Sequence, residues 1–170
     1  MKAFVIIDTW EKTPFEWYSQ EYNSLLRRIY STVRNTPSRT LIVNNKNSSD
    51  NMTHPLIKDL SGVTETLEIT VLGDDEDGKI NQSNNDKVKK FLHEDVDTLY
   101  YCGTDTYACV ISSLFGYYNM KEQGKDCYLL HDLTFEFKEH MNFDNMDYIY
   151  RQVYDNLNQY NIKFKWSYEI

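Results

Sequence analysis

No stretch of this 170-residue chain is apolar for long enough to cross a bilayer. Its first apolar run, residues 3–7, is broken at once by Asp8, so neither a secretory leader nor a membrane partner is expected. Cysteine is scarce: Cys102, Cys109 and Cys127 are an odd number without a Cys-x-x-Cys pair. That excludes a disulfide framework or a zinc cluster and points to reduced thiols in a cytoplasmic setting. Positive charge is short as well, with 18 Lys and Arg against 26 Asp and Glu and a net charge of −8. No segment concentrates enough base to offset it, so nucleic acid is not an expected partner. No glycine-rich loop follows the first apolar run, which argues against a phosphate-cradling nucleotide site. There is no repeat and no linker, and a 41% hydrophobic, 26% charged composition suits one globular domain over residues 1–170.

What is present alternates between two periodicities. Residues 3–7, 40–43, 67–71, 99–102, 126–131 and 162–168 read as strands, the last as an edge strand. Between them, Tyr22, Leu25, Leu26, Ile29 and Val33 lie on one face of a helix that opens near Thr13 and Pro14. A short helix is expected over 54–60, a loop over 73–85, and a short helix marked by Val88, Phe91 and Leu92. Residues 146–160 carry a long aromatic helical stripe. About six strands alternating with helices predict a single α/β domain, a doubly wound, mainly parallel sheet with helices on both faces.

The chemistry gathers in residues 99–132. A buried strand stops at Gly103, and Tyr107, Val110, Ile111, Leu114 and Tyr118 then keep helical spacing up to Gly124. Cys109 falls in the first turn of that helix, beyond the strand's carboxyl end, where helix dipole and free N–H groups favour a thiolate. Asp8 reaches the same sheet edge, and a carboxylate near a thiol suggests a base and a nucleophile. Each residue also has a plainer reading: Asp8 as a turn or cap residue, Cys109 as packing. Trp10, Trp17 and Tyr107 are candidates for pocket lining and equally for core. His131 and His140 are expected to be structural, and Cys102 and Cys127 inert core thiols.

The stretch Gly103-Thr104-Asp105-Thr106-Tyr107-Ala108-Cys109-Val110 resembles the G-x-x-T-x-x-C-V nucleophile motif of the isochorismatase-like cysteine hydrolases. That superfamily includes nicotinamidases and N-carbamoyl amidases. Phe4-Val5-Ile6-Ile7-Asp8 is similar to its opening strand, and Lys79 with Ser83 has the spacing of its lysine segment. The resemblance implies an Asp8–Lys79–Cys109 triad that hydrolyses a small molecule through a Cys109 thioester, with no cofactor. It implies a cis Thr104–Asp105 bond, and N–H donors of Asp105 and Cys109 as an oxyanion hole. It also implies a homo-oligomer. Residues 44–55 offer only Asp50 and His54 where nicotinamidases carry metal ligands, so no metal site is expected. Asp105 stands where the family has a small apolar residue. The cysteine favours amide-type hydrolysis; the alternative is a catalytically silent relative that binds a ligand or assembles.

Overall fold

Strands apolar on both faces need a layer of helices on each side. β1 (Lys2–Ile7) is such a strand, with every residue after Lys2 buried. In the computed structural model, which describes residues 1–12, 19–46, 52–106, 108–136 and 161–170, β1 lies inside a six-stranded sheet. On one side it pairs in parallel with β2 (Arg39–Lys46), and β2 with β3 (Glu65–Leu72). On the other it pairs with β4 (Thr98–Thr104), followed outward by β5 (Asp126–Phe135) and β6 (Phe164–Lys165), all parallel. The order β3-β2-β1-β4-β5-β6 reverses direction between β1 and β4. Chains leaving those two strands at their carboxyl ends diverge to opposite faces and open a crevice there.

Side-chain alternation along β1 assigns the two faces. Phe4 and Ile6 meet Tyr22, Leu25, Leu26 and Ile29 of α1 (Ser19–Asn35), together with Ile57 of α2 (Pro55–Lys58). Val5 and Ile7 meet Val88 and Leu92 of α3 (Lys79–Leu92), Val110 of α4 (Cys109–Ser112) and Met120 of α5 (Tyr117–Glu122). The expected doubly wound architecture is therefore present. No helix among the described residues is long and apolar enough to cross a membrane.

Several elements differ from the expected periodicity. The helix expected to run from Cys109 to Gly124 is broken into α4 and α5 at residues 113–116. There the chain passes so close to the preceding turn that a Cβ on Gly116 would sit 2.8 Å from the Ile111 carbonyl oxygen. Gly124 does take the left-handed φ of +88 that closes α5. α3 begins at Lys79, shortening the expected loop to 73–78, because Asn81 side-chain atoms bond both the N–H and the carbonyl of Leu72 and tie the first turn to β3. The last strand is only Phe164–Lys165. Beyond it the Asp132 carboxylate accepts the Ser167 N–H and hydroxyl, and the chain turns into a 3-10 helix, Ser167–Glu169. The helix start near Thr13 and the aromatic stripe over 146–160 lie outside the described residues.

Candidate active site

Gly103 decides how closely the two central strands meet. It is the register partner of Ile7, and a Cβ built on it would lie 2.0 Å from the Ile7 carbonyl oxygen, at a φ of +114 that side chains avoid. With no side chain there, the ends of β1 and β4 close up. The Thr104 hydroxyl then donates to the Asp8 carbonyl at 2.6 Å. Asp8 turns the chain at the end of β1 with a φ of +51, a conformation that Asp tolerates better than most residues. Its N–H donates to the Val43 carbonyl at 2.9 Å, which anchors the turn to β2.

The Asp8 side chain is fully buried, and Asn45 gives it two hydrogen bonds. The Asn45 backbone N–H reaches Oδ1 at 2.6 Å and the Asn45 Nδ2 reaches Oδ2 at 3.1 Å, and the Cys109 thiol lies near enough to act on the carboxylate. Burial raises the Asp8 pKa to about 6; the Asn45 hydrogen bonds and the neighbouring Cys109 thiol oppose that rise, and the nearby Asp105 charge adds to it. Cys109 is half-buried at the start of α4, and its pKa is pushed up, first by burial and then by the charge of Asp8. Above about pH 6 the pair is therefore a carboxylate facing a thiol, with the proton on sulfur. The turn before Cys109 wraps around one acceptor: the Asp105 carbonyl takes the N–H of Ala108 and of Val110, each at 3.2 Å. Thr106 N–H ties the same turn to the Phe135 carbonyl on β5 at 3.2 Å.

Lys79 does not reach this pair. Its side chain is 82% exposed and its ammonium lies 3.5 Å from Asp77. The cause is helical phase: α3 buries Asn84, Val88 and Leu92, and Lys79, five residues before Asn84, points about 140° away around the helix. Ser83, one residue off the buried stripe, is exposed too. The Thr104–Asp105 bond is trans and not the cis bond that the resemblance implied, since no described peptide bond is cis. Trp10 is packed against the α1-side core, its carbonyl accepting the Tyr22 hydroxyl at 2.8 Å and its strand bridged to Thr53. Trp17 and Tyr107 lie outside the described residues, as do Asp50 and His140.

His54 caps α2, its Nδ1 accepting the Leu56 N–H. His131 stacks on Trp166 with ring centres 5.1 Å apart. Cys102 is fully buried with its thiol on the Val5 carbonyl, and burial pushes the Cys127 thiol up to about 12. Among the described residues no three His, Cys, Asp or Glu side chains gather as metal ligands would. The residue missed by sequence reasoning is Asn45. Its signal was present: Asn44 and Asn45 are amides at the carboxyl end of an apolar strand, where side chains meet the crevice.

The buried carboxylate has a measurable consequence for stability. Asp8 holds its proton more tightly folded, at about 6, than at its ordinary value of 3.8. The stability it contributes is complete below 3.8 and is lost as pH rises through about 6. Asp8→Asn keeps the neutral form at every pH. It is expected to unfold like the parent at about pH 4 and to be more stable by about 1–3 kcal/mol at about pH 8. Urea titrations at the two pH values check this, and equal stability at both would contradict it.

A parallel doubly wound sheet with a buried aspartate and a half-buried cysteine at its switch point defines the class: a doubly wound α/β protein. Among solved structures, it is similar to the YcaC gene product of Escherichia coli, an octameric hydrolase of unknown specificity. The two share a TM-score of 0.64 and 14% identity over 98% of this chain and 76% of that one. It is also similar to the MAR1 ribonuclease of Caenorhabditis elegans, with a TM-score of 0.60 and 17% identity over 98% and 77% of the two chains. No protein-family model and no curated protein matches the sequence. The likeness is one of fold.

Proposed function

We propose that this chain is a cysteine hydrolase acting on a carbon–nitrogen bond of a small molecule, with Cys109 as nucleophile and Asp8 as base. The observation that carries the reading is a buried Asp8 carboxylate brought beside the Cys109 thiol at the switch-point crevice, close enough for each to act on the other's ionisation. A carboxylate with a pKa of about 6 is charged at neutral pH yet basic enough to receive a proton in a transition state. As sulfur bonds to the substrate carbonyl carbon, Asp8 takes the S–H proton. It passes that proton to the departing nitrogen as the C–N bond breaks, leaving a thioester on Cys109. Water then attacks the thioester and gives its proton to Asp8; the C–S bond breaks, and the proton returns to sulfur. Ala108 and Val110 N–H groups are already bonded to the Asp105 carbonyl, so the reading gives the substrate oxygen to the Cys109 N–H.

The ribonuclease neighbour does not extend to this chain's substrate, because a net charge of −8 opposes RNA binding. The octameric state of the E. coli neighbour supports the expectation of a homo-oligomer. A silent, ligand-binding role is the second reading; the solvent-facing Lys79 and the trans Thr104–Asp105 bond favour it. A panel of small amides and carbamoyl compounds separates the two, with ammonia release as readout and mass spectrometry of the quenched protein. The expected result is turnover of at least one compound with its acyl mass on Cys109. A panel without ammonia release and without any adduct would favour the silent reading.

A further inference from the structure

We propose that Asn45 is the positioning residue of this site, holding the Asp8 carboxylate charged and turned towards Cys109 in the place where the motif resemblance expects a lysine. The inference rests on reading Asp8 and Cys109 as base and nucleophile. A carboxylate with no exposure to solvent must be supplied with donors or stay protonated, and a protonated Asp8 cannot accept the thiol proton. Asn45 supplies two of them, one to each oxygen. No ammonium or guanidinium among the described residues contacts Asp8, and Lys79 is occupied by Asp77 in solvent.

The overhang of β2 makes this possible. β1 ends its pairing with β2 at Ile7 and Val43, whereas β2 continues along β3 through Asn44, Asn45 and Lys46. Asn45 is thus held by a strand partner on its far side while its N–H and amide face the end of β1. Its neighbour Asn44 is anchored separately, by a hydrogen bond to the Thr53 hydroxyl, which in turn donates to Glu68. The other groups facing the pair are the Tyr22 phenol from α1, the Asp105 carboxylate after β4, and Glu136 after β5, which acts on Cys109. The two acids work against ionisation of the pair, and Tyr22 spends its hydroxyl proton on the Trp10 carbonyl. Asn45, with a donor on each carboxylate oxygen, is therefore the main support of the ionised Asp8. A neutral amide does this less strongly than a cation, which leaves Asp8 a better base than a lysine partner would.

The test uses the full chain with the Asp carboxyl carbons labelled for NMR, the Asp8 signal assigned by its loss in Asp8→Asn. It follows the Asp8 titration and, in parallel, the pH dependence of Cys109 alkylation by iodoacetamide. In the parent, Asp8 is expected to titrate at about 6 and the alkylation rate to rise through the same midpoint. Asn45→Ala should move both midpoints up by about one pH unit, cutting alkylation by about tenfold well below pH 6 and by about twofold at pH 7. Asn45→Asp, isosteric but unable to donate, should move them further, and Asn45→Ser, which keeps a hydroxyl donor, should recover part of the shift. The Asp and Ser variants carry the comparison if Asn45→Ala fails to fold. A folded variant lacking the Asn45 amide with an unmoved Asp8 midpoint overturns the positioning role. If Asp8 shifts in the variants but parent alkylation ignores its titration, the base–nucleophile reading fails instead.

Discussion

Cys109→Ala and Asp8→Asn are each expected to lower kcat/KM for a true substrate by about a thousandfold or more, and the double variant to be scarcely worse than either. The reason is that the two groups act as one unit: without sulfur there is no covalent intermediate, and without the carboxylate the proton stays on a thiol whose pKa burial has raised. Non-additivity is the decisive readout, because two independent packing defects would multiply. Unfolding does not confound the result, since Asp8→Asn is expected to be the more stable protein above about pH 7. Cys102→Ala is the control. Cys102 is fully buried on the α1-side core with its thiol on the Val5 carbonyl, so its loss should cost about 1 kcal/mol of packing and leave turnover intact. Steady-state kinetics and urea unfolding of the four variants check this. Turnover that survives in Cys109→Ala would make that cysteine a packing residue.

Gly103→Ala is expected not to fold. The added methyl would sit 2.0 Å from the Ile7 carbonyl oxygen, a backbone atom of the neighbouring central strand that no rotamer change can move. The position also has a φ of +114, which an alanine adopts only under strain. Separating β1 from β4 would break the register between them and pull Asp8 from the turn that carries Cys109. The expected loss exceeds about 5 kcal/mol, a large share of the roughly 5–15 kcal/mol that holds a domain together. Gly62→Ala gives the contrast: nothing lies within 4 Å of the place its methyl would take, so a change within about 0.5 kcal/mol is expected. Far-UV circular dichroism and soluble yield distinguish the two, and a Gly103→Ala protein with the parent's urea midpoint would contradict the close approach.

Local pattern carried much of the architecture. Tyr22, Leu25, Leu26, Ile29 and Val33 recur at helical spacing because one face of α1 must cover a sheet, and all five are buried. Likewise the unbroken apolar run of β1 declares a strand with two covered faces. Periodicity failed where a few local contacts override it. The break at residues 113–116 follows from the close passage of Gly116, and the short β6 from the grip of Asp132 on Ser167. Neither contact has a period, so no window along the chain reveals it.

The same division runs through the site. The chain by itself determined that Asp8 ends an apolar strand and that Cys109 opens a helix after another, since both follow from where hydrophobic runs stop. The parallel order of strands then brings two carboxyl ends to one edge. Which third residue joins them was decided only in three dimensions. Lys79 has the right spacing in sequence, but helical phase turns it to solvent beside Asp77. Asn45, carrying no motif, is delivered to both oxygens of Asp8 because β2 outruns β1 and is held there by β3. Strand overhang is a property of the assembled sheet, so a contact across 37 residues of chain becomes visible only when neighbouring strands are laid side by side.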